Sequence, residues 1–299
     1  MNTSTVTRKP IIVGYDGSDR SQRAVRWAAR HAALTGDPLV VIHCTVWPMF
    51  TKDLDAVPGI EDSGLQHEAE RTAAEGQQLA EEAAPGVAVS KRLLAGFPAE
   101  VLTRLSPEAS LLVTGTRGLG GFAGLLVGSV SLHLAASASC PIMVVRDEQP
   151  VQDNVLVAVD GSPESDRAVM KAADLARTLH QSVHLLHALP YRRHMLDSAV
   201  DTAGADTGSN TGLDADTAAE AERDPVIQQA LNLLPADTDL AIVENTVTAV
   251  STAGAIIDHA RTASCVVLGA KGRNTLGARL GSTVHAVLHH ATTNVVVIR

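Results

Sequence analysis

The sequence is poor in aromatic residues and in cysteine. Its 299 residues include only two Trp, two Tyr and three Phe, too few for the aromatic platforms on which single-stranded nucleic acids stack. The three cysteines, Cys44, Cys140 and Cys265, are widely separated, which argues against a disulfide framework and against a Cys-x2-Cys metal site. The hydrophobic core must therefore be built from Val, Leu, Ile and Ala.

An excess of basic charge and long apolar runs are lacking too. The chain has 33 acidic and 24 basic residues, a net charge of −9, and such a surface disfavours contact with nucleic-acid phosphates. No apolar run reaches the ~18 residues needed to span a bilayer. The first ten residues, MNTSTVTRKP, lack the apolar region of a secretory signal. We therefore expect a cytoplasmic protein with no membrane span and no nucleic-acid partner.

The chain does contain an internal repeat. The segment IIVGYDGSDRSQRAVRWAA (11–29) returns as VLVAVDGSPESDRAVMKAA (155–173), at an offset of 144 residues. Near the end of each copy, CPIMVVR (140–146) returns as TNVVVIR (293–299) at an offset of 153, so the second copy carries an insertion. The offsets predict two domains of ordinary size, 1–150 and 151–299.

The insertion falls at about 195–225 and has the composition of a solvated segment. It contains eight acidic residues and a single basic one, with Gly, Ser, Thr and Ala between them. Such a segment buries too little apolar surface to order itself. We interpret it as a linker, and a functional acidic segment is the alternative.

Short apolar runs alternate with helical patterns in both copies, which is typical of βαβ units and a parallel sheet. Their continuous Val, Ile and Leu character suits strands covered by helices on both faces. The spacing of small residues predicts a helix over 19–35, with an N-cap in Asp16-Gly17-Ser18. Strands are predicted at 11–15, 39–45, 87–93, 110–114 and 141–145, and at 155–159, 183–188, 240–245, 264–268 and 294–298. Each copy ends in an apolar fifth strand, and a sheet edge of that kind needs covering.

A glycine-rich loop after the fourth strand carries the strongest chemical signal. Gly115-Thr116-Arg117-Gly118 is followed after nine residues by Gly128-Ser129. Glycines let backbone N–H groups approach phosphates, and the N-terminus of the next helix adds partial positive charge. The loop lacks the Gly-Lys-Ser/Thr of a P-loop and does not follow the first strand as a dinucleotide-binding loop does. It predicts a phosphate-binding site, and a flexible strand-to-helix connection is the alternative.

This Gly-x2-Gly-x9-Gly-Ser spacing, with VGYDGS on the first strand, resembles the ATP-binding branch of the universal stress protein family. The repeat resembles the two-domain members common in actinobacteria. The resemblance implies an α/β fold of two tandem Rossmann-like domains, each a five-stranded parallel sheet of order 3-2-1-4-5 with helices on both faces. It also implies ATP, with or without Mg²⁺, at the carboxyl ends of the strands. The edges formed by the fifth strands are implied to pair, between the two halves or between subunits. The implied function is that of a nucleotide-dependent stress-response factor that is not an enzyme, is a homodimer and contacts an unidentified protein partner.

The resemblance also implies a set of binding residues. Gly14 and Asp16 would lie against the nucleoside, with Asp16 near the ribose, and His43 and Cys44 would line the adenine pocket through backbone and side-chain contacts. The phosphates would contact Gly115, Thr116, Arg117, Gly118, Leu119, Gly120, Gly121, Gly128, Ser129 and Val130. The corresponding residues of the second copy are Asp160, His187, Gly269, Ala270, Lys271, Gly272, Gly281, Ser282 and Thr283. The loop of the second copy is one residue shorter, and Ala158 stands at the position that matches Gly14. The sequence therefore predicts nucleotide binding less strongly for the second copy than for the first.

The sequence is compatible with two other functions. One is a docking module whose nucleotide pocket is degenerate, and the other is a slow ATPase. The motifs supply no evident general base for hydrolysis beside the loop. His285 and His289 have the spacing of a metal pair on the last helix, but no third ligand accompanies them, so we interpret them as ordinary helix histidines.

Overall fold

The computed structural model describes residues 8–46, 64–118, 127–191, 224–234, 239–272 and 280–299. The strands are β1 (Ile11–Gly14), β2 (Leu39–Thr45), β3 (Val89–Ala95), β4 (Leu111–Gly115), β5 (Ile142–Val145), β6 (Asn154–Val159), β7 (Ser182–Pro190), β8 (Ile242–Ala249), β9 (Cys265–Gly269) and β10 (Asn294–Ile298). The helices are α1 (Asp19–Thr35), α2 (Gly64–Ala83), α3 (Pro98–Leu105), α4 (Ser129–Ser137), α5 (Pro163–Leu179), α6 (Pro225–Asn232), α7 (Thr252–Ala260) and α8 (Ser282–His290). None of the described helices is long and apolar enough to cross a membrane.

The ten strands form one sheet in the order β3-β2-β1-β4-β5-β10-β9-β6-β7-β8. The α/β class is confirmed, and each half has the predicted order 3-2-1-4-5 with parallel neighbours. The predicted five strands of each half are present, but they belong to one sheet instead of two, because β5 and β10 pair antiparallel and join the halves. Each apolar edge is thereby covered by the other copy. The division near residue 150 stays a prediction.

The junction between the halves has approximate twofold symmetry. Met143 pairs with Val296, its counterpart 153 residues later in the repeat. The equivalent arginines at the ends of these strands also reach across reciprocally. Arg146 donates to the carbonyl of Leu288 in α8 at 2.5 Å, and Arg299 donates to a carbonyl at the end of α4.

The helices cover both faces of the sheet. One buried cluster joins α1, α2, α5 and α6 to one face, and a second joins α3, α4, α7 and α8 to the other. Successive strand residues point to opposite faces, so Val13 belongs to the first cluster and Ile12 to the second. Both clusters include residues from the two copies, and the halves therefore share their core.

Capping residues set both ends of the first helix. A turn shifts the start of the third strand. Helix α1 spans the predicted residues, with its N-cap at Ser18 and its end at Gly36 in the left-handed conformation. Strands β3 and β8 begin two residues later than predicted. In the first copy the N–H of Val87 bonds to Ala84 in the turn after α2, so this apolar residue is not yet in the strand.

Candidate functional site

A cavity of about 330 Å³ opens in the first copy at the carboxyl ends of β1, β2 and β4. Strands β1 and β4 are neighbours whose connections run in opposite directions along the sheet, the place where open α/β sheets bind ligands. The lining residues are Gly14, Tyr15, Asp16, Ser21, Ile42, Cys44, Pro98, Leu102, Thr114, Gly115, Arg117, Gly118, Gly128, Ser129, Val130 and Ser131. The cavity has an apolar end, at Ile42 and Leu102, and a polar end at the glycine-rich loop.

The cavity gathers most of the residues predicted for the first copy. It is lined by Gly14, Asp16, Cys44, Gly115, Arg117, Gly118, Gly128, Ser129 and Val130. Thr116 is buried but is not in the lining, and Leu119, Gly120 and Gly121 lie outside the described residues. Sequence reasoning missed Tyr15, Ser21, Ile42, Pro98, Leu102, Thr114 and Ser131. For Ile42 a signal existed, because it precedes Cys44 by two positions and so faces the same side of the strand.

Asp16 is held in a fixed orientation at the edge of the cavity. Its Oδ1 accepts hydrogen bonds from the N–H and the hydroxyl of Ser18, at 3.1 and 2.7 Å. Its Oδ2 faces Gly118 so closely that a Cβ on that glycine would overlap it. The glycine thus lets the loop backbone reach the carboxylate.

The N-terminus of α4 forms the polar end of the cavity. Its N-cap is Gly128, which offers no side chain to the first-turn N–H groups, and these groups carry partial positive charge. Ser131 is engaged elsewhere, since its hydroxyl donates to the Gly115 carbonyl at 2.9 Å. The Nε of Arg117 is buried and has no hydrogen-bond partner in the described part of the chain. A guanidinium with an unpaired N–H beside a helix N-terminus suits an anion.

The described side chains at the other end of the cavity, Ile42, Leu102 and Cys44, carry no charge. Burial raises the pKa of the Cys44 thiol to about 11, although Arg104 acts in the opposite direction, so the thiol is neutral at pH 7. Burial, with Glu75 nearby, also raises the pKa of Tyr15 above its usual value. The Tyr15 ring lies on the far face of the sheet, where a Cβ on Gly76 would meet it, so Tyr15 contributes only backbone to the cavity.

Two stretches of the chain, 7–146 and 152–299, match the model of the Universal stress protein family. The chain belongs to this family. It is 30% identical, over 97% of its length and 96% of theirs, to the universal stress proteins Rv2005c and Rv2623 of Mycobacterium tuberculosis. A universal stress protein from Archaeoglobus fulgidus has the same fold, with a TM-score of 0.67, 19% identity and coverage of 98% of this chain and 99% of that one. Membership of the family and its tandem arrangement, both inferred from sequence motifs, are thereby confirmed.

The second copy of this universal stress protein repeats the frame of the first. Asp160 accepts from the N–H of Ser162 at 3.0 Å, and a Cβ on Gly272 would overlap its other oxygen. Gly281 is the N-cap of α8 without a side-chain cap, and its N–H donates to Ala270 at 2.9 Å. Lys271 and Gly269 occupy the positions of Arg117 and Gly115, and Ser282 and Thr283 begin α8. Residues 273–279 lie outside the described part of the chain.

The two strand-end histidines of this universal stress protein make side-chain contacts of their own, and their place in the nucleotide sites stays a prediction. His43 and His187 were expected in the adenine pockets, yet His43 is not in the lining of the cavity. Its Nδ1 contacts the Tyr15 carbonyl at 2.8 Å, and the Nδ1 of His187 contacts Asp224 at 2.6 Å. The physical reason is strand alternation, which turns His43 and Cys44 to opposite faces of β2.

Proposed function

We propose that this universal stress protein binds ATP in the cavity of its first copy and acts as a nucleotide-dependent regulatory factor. The observation that carries the proposal is the buried Nε of Arg117, which lacks a partner in the described residues, beside the uncapped N-terminus of α4. A phosphate group would satisfy both. The cavity volume of about 330 Å³ falls within the usual range for small-molecule sites, about 300–1,000 Å³.

Each part of the nucleotide has a matching part of the cavity. The phosphates would lie at Arg117 and at the first turn of α4. The ribose would lie at Asp16, whose fixed carboxylate can accept from sugar hydroxyls. The adenine would lie at the apolar end, between Ile42, Leu102 and the neutral thiol of Cys44. Mg²⁺, where it accompanies ATP, would be held mainly by the phosphates and water.

The cavity supports binding better than chemistry. Among its described lining residues, Asp16 is the side chain nearest in type to a general base, and its Oδ1 is already engaged by Ser18. We therefore propose that occupancy by ATP, and not rapid turnover, is the signal read by a protein partner. The nucleotide that accompanies the purified protein tests this proposal. Retained ATP supports it, ADP alone would indicate an ATPase, and an empty protein that takes up no ATP would indicate a docking module.

A matched pair of substitutions tests the location of the site. Asp16→Asn keeps an Oδ1 acceptor for the Ser18 turn but removes the charge that would meet the ribose. A hydrogen bond to a charged group contributes about 1.5–3 kcal/mol, so the affinity for ATP should fall about ten- to a hundredfold. Asp160→Asn makes the same change in the second copy and should leave the first site intact.

Calorimetric titration of nucleotide-stripped protein measures both effects and counts the sites. Equal affinities of wild type and Asp16→Asn would contradict the proposed site. Loss of binding in Asp160→Asn alone would move it to the second copy.

A further inference from the structure

The first two strands of each copy pair in parallel, and this pairing ends at a different position in the two copies. In the first copy its last pair is Gly14 with Ile42, and beyond it the N–H of Tyr15 still bonds to Ile42 at 2.9 Å. In the second copy the ladder continues one pair further, to Val159 with His187. The strands therefore separate one residue earlier beside the cavity than they do in the second copy.

A side chain holds the backbone where the first ladder stops. The Nδ1 of His43 lies 2.8 Å from the Tyr15 carbonyl oxygen. A carbonyl only accepts, so Nδ1 must carry the proton and donate. The N–H on the other side of the same peptide, that of Asp16, donates to the hydroxyl of Ser21 at 3.3 Å. The peptide between Tyr15 and Asp16 is thus held on both sides.

The second copy keeps only half of this arrangement. The N–H of Asp160 donates to Ser165 at 3.2 Å, as Asp16 does to Ser21. His187, the counterpart of His43, directs its Nδ1 to Asp224 at 2.6 Å instead. Asp224 also accepts from Thr246 at 3.0 Å. The side chain of His187 therefore binds the carboxylate of Asp224, whereas that of His43 binds a backbone carbonyl at the strand end.

We propose that His43 is a positioning residue for the first nucleotide site, acting from the face of the sheet opposite the cavity. By donating to the Tyr15 carbonyl it fixes the Tyr15–Asp16 peptide, and so it fixes where the Asp16 carboxylate stands relative to the ribose. This inference rests on the proposed function. It assigns to His43 a role that differs from the pocket contact predicted from sequence, and it distinguishes the two copies by the hydrogen bond of one side chain.

Two substitutions at His43 separate positioning from packing. His43→Leu keeps a side chain of similar size but removes the donor, whereas His43→Asn places an amide N–H close to where Nδ1 stood. The affinity for ATP should fall about tenfold in His43→Leu, because one hydrogen bond that holds Asp16 is lost. His43→Asn should bind within about threefold of wild type. His187→Leu, which changes the matching residue of the second copy, should lower the unfolding midpoint and leave the first site unchanged.

The tautomer of His43 gives a readout independent of ATP. In full-length protein labelled with ¹⁵N-histidine, the neutral ring of His43 should carry its proton on Nδ1, with the signals assigned by their loss in His43→Asn. An Nε2–H tautomer would overturn the proposal, as would equal affinity for ATP in His43→Leu and wild type. Equal losses in His43→Leu and His43→Asn would also overturn it, because the effect would then be packing. A wild type that does not bind ATP but shows the Nδ1–H tautomer would overturn the proposed function, and with it the role of His43 in binding.

Discussion

At the scale of single residues, the two glycines of the Gly-x2-Gly motif differ in what surrounds them. Gly115 was predicted from sequence to let backbone approach a phosphate. A Cβ there would lie 2.7 Å from the carbonyl oxygen of Arg20 in α1, so this glycine allows the helix to lie close on β4. Gly118 is exposed, and a Cβ there would meet the Asp16 carboxylate.

Alanine substitutions should separate these roles. Gly115→Ala forces backbone apart, and such overpacking costs about 1–3 kcal/mol, so its unfolding midpoint in urea should fall. Gly118→Ala should lower ATP affinity by about tenfold or more, since Asp16 must move, with little change in the midpoint because the residue is exposed. Gly272→Ala makes the same contact with Asp160 and serves as the control. A Gly118→Ala protein that binds ATP normally would show that the contact with Asp16 does not matter for binding.

Some residues of the cavity could be predicted from the sequence and others could not. Asp16 and the glycine-rich loop could be predicted to lie close together, because both follow parallel strands whose carboxyl ends meet at one edge of the sheet. His43 and Cys44 were assigned together, although the side chains of consecutive strand residues point to opposite faces of the sheet. Pro98 and Leu102 reach the cavity from α3, which follows the third strand, and their contact with the end of β1 depends on how a helix packs over neighbouring strands. No local pattern encodes that packing.

At the scale of elements, Asp224 fixes helix α6 to the end of β7. Its Oδ1 accepts from the N–H groups of Val226 and Ile227 as an N-cap, and its Oδ2 contacts His187 and Thr246. Burial acts to raise the pKa of Asp224, but these hydrogen bonds outweigh it and hold the pKa below its usual 3.8. The last two residues of the predicted insertion, 224 and 225, are therefore structural, while 195–223 lie outside the described residues.

The lowered pKa gives the contribution of Asp224 a definite pH dependence. It is present in full above the ordinary pKa of 3.8 and is lost as pH falls through the lower, folded value. Asp224→Ala should cost about 1–3 kcal/mol at pH 7, and the difference from wild type should shrink below pH 4. Ser251→Ala removes the neutral cap of α7 and should show a difference that does not vary with pH. Urea unfolding at several pH values measures both, and a constant Asp224→Ala difference would contradict the charged network.

At the scale of the whole molecule, the continuous sheet makes the two copies one structural unit. The apolar fifth strands indicated that these edges need covering, and the family resemblance implied that they pair, either within the chain or between chains. Both edges are used inside the chain, where β5 meets β10. A homodimer remains a prediction, but the edges of β5 and β10 are not available to form it. Residues of both halves, such as Val13 and Val157, belong to the same buried cluster.

Unfolding should consequently be one transition for both halves. Both tryptophans, Trp27 and Trp47, lie in the first copy, so their fluorescence reports that copy, while far-UV circular dichroism reports both. Val296→Asp places an unpaired charge at a position of β10 that is 5% exposed, which should cost about 3 kcal/mol or more of stability. Because β10 pairs with β5, the tryptophan transition of the first copy should shift together with the dichroism transition.

The control is Val243→Asp, which makes the same change on the outer strand β8 at a position that is 41% exposed. It should change the free energy of unfolding measured by either probe by no more than about 0.5 kcal/mol. A fluorescence transition that stays in place in Val296→Asp would mean that the halves unfold independently, and a midpoint that rises with protein concentration would indicate the predicted homodimer.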